Sequence, residues 1–210
     1  MDTTTVKTLE VKSNIENLEL YSDNYPFSLP LRIKSFENES EYKKFIKNCE
    51  MLVRRCVEYR QWKNYIIDVL GINTCMVTDE RIDQCSIEVH HHIPSMYVFV
   101  KTLVNKSLDN EEEFSTFDIA QNAIELHFKN KVGYVTLIKS MHEKFHNGYL
   151  SIPCELIKGD FNHFLREYSG YIDDEDTDAI NLRLSINSSN CNWKRDEYPS
   201  EALDAIEAMK

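Results

Sequence analysis

Hydrophobic residues recur at three- and four-residue spacing through the first third of the chain. Tyr42, Phe45, Ile46, Cys49, Leu52, Val53 and Cys56 share one face, which predicts a long helix over residues 40–70 with Gly71 as its stop. Ahead of it, Asn24-Tyr25-Pro26 and Leu29-Pro30 read as extended, because the residue before a proline is pushed out of helical backbone. Residues 72–77 and 85–90 have strand composition on either side of the polar turn Asp79-Glu80-Arg81, so a hairpin is expected there. A helix follows Pro94 through Met96, Val100, Leu103 and Val104, and a second covers residues 117–128. Residues 133–137 form a short strand. The next helix carries His142 and His146 and ends at Asn147-Gly148, a helix-stopping pair.

Further on, Asp160 is placed to cap a helix containing Phe161, Phe164, Leu165 and Tyr168. The alternation of Ile180, Leu182, Leu184 and Ile186 predicts a strand, and residues 200–209 a terminal helix. Asp173-Asp174-Glu175-Asp176 reads as a solvated loop; it lacks the spacing and glycine of a calcium-binding EF-hand loop. The pattern as a whole is α+β. It divides into an irregular start plus long helix (1–70), a central domain (71–171) and a C-terminal extension packed on that domain (172–210).

The chain has 210 residues, enough to bury a core without staples. Its 42% hydrophobic and 28% charged residues are those of a globular protein. No apolar run reaches the length of a membrane span, and residues 1–6 are polar with no signal-like stretch, so an intracellular protein is expected. Cys49, Cys56, Cys75, Cys85, Cys154 and Cys191 include no CxxC pair, which leaves a zinc knuckle unsupported; they read as small half-buried hydrophobes. Asn187-Ser188-Ser189 fits the glycosylation pattern, but without a secretory context. The net charge of −11 argues against coating nucleic acid by bulk electrostatics. It leaves room for a nuclease whose metal neutralises phosphate locally, and it suits a surface that meets a basic protein partner.

Four of the seven histidines change the picture most. His90 and His91 end a predicted strand. His142 and His146 lie four apart on a helix, so their rings leave the same face. A strand end facing that helix can bring three imidazoles around one divalent cation. Either half alone is more often a surface or core feature; the two halves together, in this order, point to a metal site. Lys129, Lys131, Lys139, Lys144 and Lys158 add a mild local basic excess, which is either a phosphate-facing strip or a solvated face.

Ile87-Glu88-Val89-His90-His91, followed by Pro94, resembles the first half of the HNH (ββα-metal) endonuclease motif, and residues 135–148 resemble its second half. Residues 71–171 are also similar to a group of HNH-like proteins encoded by tailed bacteriophages. The resemblance implies a ββα-metal core with one divalent ion (zinc, magnesium, manganese or nickel), DNA as substrate and the host cytoplasm as location. It implies that His90, His142 and His146 are the metal ligands, His91 the general base that activates water, and Glu88 a supporting acid. Imidazole suits the base role because its unperturbed pKa is about 6.5.

One position departs from the motif. The middle asparagine, nine residues before the first helix histidine, is Gly133 here. Asn130 is a candidate substitute. His127 has two readings, a contact to the site or the phosphate and a half-buried helix histidine bonded to a neighbour; His163 reads as a surface residue. Two functions follow. The first is a metal-dependent DNA endonuclease. The second is a catalytically weak module of phage origin that binds and modulates a host protein, for which Gly133 and the acidic charge speak. Between them lies a structural zinc that ties the helix to the strands.

Overall fold

The computed structural model describes residues 32–189 other than 84, with side chains described through 184. The expected extended start and terminal helix lie outside the described residues. Those described are α+β and mostly helical, with one two-stranded antiparallel sheet.

Helix α1 (Glu39–Arg55) begins at Asn38, whose side chain accepts from the Glu41 amide at 3.0 Å. The helix expected to run on to residue 70 breaks at Cys56, which is extended (ψ 158°). Cys56 ends α1 and caps α2 (Val57–Asn64), its Sγ accepting from the Tyr59 amide at 3.3 Å. The apolar periodicity runs right up to this residue, so the spacing alone conceals the bend. Beyond α2 a single π turn, Tyr65–Val69, leads to Gly71, whose φ of +68° suits a residue without a side chain. The bend turns Tyr59 and Trp62 inward, and both are buried.

The expected hairpin of residues 72–77 and 85–90 does not form. Strand β1 (Ile87–His91) pairs instead with β2 (Tyr134–Ile138), in antiparallel register with Glu88 opposite Leu137 and His90 opposite Val135. Residues 73–82 close on themselves: Cys75 N–H donates to the Glu80 carbonyl at 2.7 Å and Ile82 N–H to the Asn73 carbonyl at 2.9 Å. That loop meets β2 through Met76 N–H on the Thr136 carbonyl and the Thr136 hydroxyl on the Thr74 carbonyl. These bonds pair backbone groups of the loop without a ladder.

Two helices separate the strands. Helix α3 (Met96–Asp109) is capped by Ser95. Helix α4 (Thr116–Phe128) starts with a capping box between Ser115 and Asp118. Helix α5 (Lys139–His146) follows β2 directly and packs on both strands. Helix α6 (Phe161–Tyr168) is capped by Asp160, as its sequence predicts.

Two apolar clusters hold these elements. One joins Ile46 and Val53 of α1, Trp62 of α2, Phe99 of α3, Ile119 of α4 and Phe164 of α6. Residues 39–70 therefore share a core with the central segment. The other joins Ile87, Val135 and Leu137 of the sheet, Met141 of α5 and Ile152.

The segment expected to be a strand at Ile180 is helix α7 (Asp174–Ser189), and the acidic run forms its first turn rather than a loop. Acidic residues favour a helix start, where unpaired amides point outward. Ile180 and Leu184, four apart, pack on the second core, while Leu182 is 61% exposed. The apparent alternation thus combines a helical pair with an exposed outlier. The Lys101 ammonium reaches Asp173 at 2.5 Å and Asp176 at 2.8 Å, and Asn105 donates to Asp173 and to the Tyr171 carbonyl, tying the start of α7 to α3.

Gly133 sits where backbones nearly touch. A Cβ there would lie 2.3 Å from the His92 carbonyl oxygen, 2.8 Å from that of Ile93 and 2.9 Å from Phe161 Cβ. The motif asparagine cannot occupy this position without moving both chains. Gly133→Ala is expected to cost about 3 kcal/mol or more in urea denaturation, because the clash is with backbone rather than a flexible tip. A loss under about 1 kcal/mol would show that the contact relaxes.

Candidate metal centre

Successive residues of a strand point to opposite faces. In β1 this sends Glu88 and His90 toward α5, and His91 toward α2 and α4. The His90 ring lies 4.6 Å from that of His142 and 5.0 Å from that of His146, centre to centre, with Phe145 at 4.7 Å. The ligand atoms of His90, His142 and His146 all fall within 4.8 Å of one another, and these three could hold a metal ion. His142 Nε2 and His146 Nε2 are 2.9 Å apart. Tetrahedral coordination at about 2.0–2.1 Å separates ligand nitrogens by about 3.3 Å, within reach of small ring rotations.

The tautomer of His142 is set by its neighbour. Glu88 Oε2 lies 2.5 Å from His142 Nδ1, and a carboxylate only accepts, so Nδ1 carries the proton. With Nδ1 so engaged, Nε2 is the ring atom turned toward His146. A carboxylate behind a histidine is the usual support of a metal ligand.

His90 shows the fit from the other side. Its Nε2 is buried with no hydrogen-bond partner among the described residues. A buried nitrogen without a partner is costly, and a cation would satisfy it. Burial, and then the neighbouring imidazoles, push the His90 pKa down to about 3. Burial followed by His142 and Arg54 lowers that of His146, against an opposing pull from Glu88. Both rings are therefore neutral at pH 7, the form that binds metal.

His91, expected as the general base, is placed elsewhere. It is buried against the Tyr59 and Trp62 rings, at 5.9 and 5.6 Å, and its Nε2 is 2.8 Å from His127 Nε2. His127 is a core histidine whose Nδ1 lies 2.6 Å from the Ala123 carbonyl. A carbonyl only accepts, so His127 donates from Nδ1 and accepts at Nε2, and His91 donates from Nε2. Neither ring shares a ring contact with the metal cluster. Burial drives the His91 pKa well below its ordinary value and takes His127 to about 4.

Asn130 belongs to a turn (φ +56°) whose carbonyl accepts from the Asp160 amide at 2.7 Å, so its contacts are with the 159–160 loop. His163 is a surface residue bonded to Glu167. One residue near the cluster escaped the sequence reading. His92 lies on the His90 face, edge-on to Phe145 at 4.9 Å, and period-two alternation was the signal for it.

These features define an α+β protein with a three-histidine cluster at a strand–helix face. A family model described as Bacteriophage G278-like virion protein matches residues 3–209, and the chain belongs to that family. Its origin is therefore phage. No curated protein and no solved structure matches it. No helix among the described residues is long and apolar enough to cross a membrane.

Two outcomes are expected. Equilibrium dialysis with zinc should give one ion per chain, lost in His90→Ala, and Glu88→Gln should weaken binding by about 10–100-fold. Equal affinity in Glu88→Gln would remove its supporting role. In chelator, stability should be full above about pH 6.5 and fall toward pH 4, because unfolded histidines take up protons there while buried His127 does not. The double variant His91→Phe/His127→Leu should flatten that fall in urea midpoints; His90 and His92 act in the same direction and leave a remainder.

Proposed function

We propose that this virion protein is a metal-dependent phosphodiesterase acting on DNA, built on an HNH-like ββα-metal core. The observation that carries this is the convergence of His90, His142 and His146 on one point at the protein surface. His90 is the buried side of the cluster and His146 its exposed rim. Three protein ligands with an open side are the pattern of catalytic metal sites, whereas structural zinc is usually closed by four.

The residues divide the work as follows. His90, His142 and His146 would hold the ion. Glu88 fixes the ring and proton of His142. A divalent ion so held supplies Lewis acidity toward a phosphate oxygen and makes water a nucleophile near neutral pH. His91 takes no part in proton transfer in this scheme; it anchors β1 to α4 through His127. The cluster alone must therefore activate water, which predicts slower cleavage than a site with a free imidazole beside the ion.

The second reading is a module that binds a host protein, its metal serving only to tie α5 to β1. The burial of His91 and the closed position at Gly133 favour it. Nicking of supercoiled plasmid in zinc, magnesium or manganese separates the two. The first reading expects nicking that falls at least about 100-fold in His90→Ala. Metal-loaded protein that leaves DNA and RNA intact, yet copurifies with one host protein at fixed stoichiometry, would replace it with the second.

A further inference from the structure

Helix α4 carries an apolar stripe beside its buried face. Ile119, Ala123 and Leu126 point into the first core. Phe117, Gln121, Ile124 and Phe128 recur at four-, three- and four-residue spacing, so they lie along one line of the helix. Ile124 is partly buried against that core, whereas Phe117 and Phe128 are 49% and 55% exposed. Two phenyl rings left in water on one line of a helix mark a contact surface rather than scattered exposure.

The stripe has a centre of symmetry in its spacing. Phe117 and Phe128 stand at its ends, about 16 Å apart along the axis. Gln121 and Ile124 lie between them, evenly placed about the midpoint. A second α4 laid antiparallel across it sets Phe117 against the other copy's Phe128, and Gln121 against its Ile124, each pairing made twice. Such a surface is complementary to itself about a twofold axis.

Charge favours the antiparallel orientation. Asp118 stands in the first turn of α4, behind the exposed Glu111, Glu112 and Glu113. Lys129 and Lys131 follow its last turn. Antiparallel docking brings Lys129 of one copy beside the acidic start of the other, whereas parallel docking stacks like ends together. Lys129 is held only by an exposed pair to Glu125 at 3.3 Å, which leaves it able to share its charge. In a chain of net charge −11, copies repel over most of their surface, so self-association is confined to a face where opposite charges meet.

We propose that the Phe117–Phe128 stripe is a docking surface for a second copy of this chain, the two α4 helices packing antiparallel. Sedimentation equilibrium of the full chain tests this. Two 13-residue helices make a small contact, so a dissociation constant of roughly 1–100 µM is expected. Phe117→Glu and Phe128→Lys each place a charge that suits its own end of the helix, so circular dichroism should be unchanged. Either variant alone should weaken the dimer at least about 100-fold, because each lost ring is lost twice.

The two variants mixed in equal amounts should associate at least about tenfold more tightly than either with itself. In the mixed pair the new carboxylate of one chain faces the new ammonium of the other, and one Phe117–Phe128 contact is regained. A parallel pair, a contact elsewhere or a misfolded variant offers no such recovery. Wild type that stays monomeric through that concentration range would overturn the assignment, as would a dimer that either variant leaves intact. A mixture no tighter than its components would overturn the antiparallel pairing.

Discussion

The five-residue ladder between β1 and β2 is the constraint on which the rest depends. Its pleat separates two adjacent histidines that the sequence presents as a pair. One goes to an open face opposite α5, where three rings converge, and the other to a closed face against α2 and α4. A shift of one residue in register would exchange them, putting His91 at the metal cluster and His90 into an apolar pocket. The pocket rings around His91, from Tyr59, Trp62 and His127, therefore set the register as much as the backbone bonds do.

The two faces use histidine in different ways. On the open face, three rings converge on a common point and one of them is aimed by a carboxylate. On the closed face, two neutral rings share a single donated proton between their Nε2 atoms, and a helix carbonyl fixes its direction. Such a buried pair is stable only while both rings stay neutral, since the core offers no solvation for a charge. The same side chain thus belongs to a cluster that could hold a metal ion on one side of the strand and is a core hydrogen-bonding group on the other.

Much of this was legible in the sequence. The helix carrying His142 and His146, the strand ending at His91 and the cap at Asp160 follow from local chemistry, because their signals lie within a turn or two. The α+β class followed as well. Local pattern could not give the partner of β1, since pairing across forty residues and two inserted helices is decided by the tertiary fold. The bend at Cys56 was hidden because a cysteine cap interrupts no periodicity. The strand expected at Ile180 failed because an alternating run of four apolar residues also contains i, i+4 pairs such as Ile180 and Leu184, and the acidic start of α7 favours the helix. His91 misled for a related reason: motif order places a residue along the chain but does not say which way its side chain points.

Gly133 has a consequence for the routes by which the sequence can change. Its neighbours are main-chain oxygens of the residues that follow β1 and the Cβ of Phe161, none of which a rotamer change can withdraw. Every single substitution there adds a Cβ, so an asparagine cannot be introduced by one step through a well-folded intermediate. Restoring the motif would need compensating shifts in the 92–94 turn and in α6 first. Substitutions that accumulate around its histidines are thereby confined to backgrounds without an asparagine at this position.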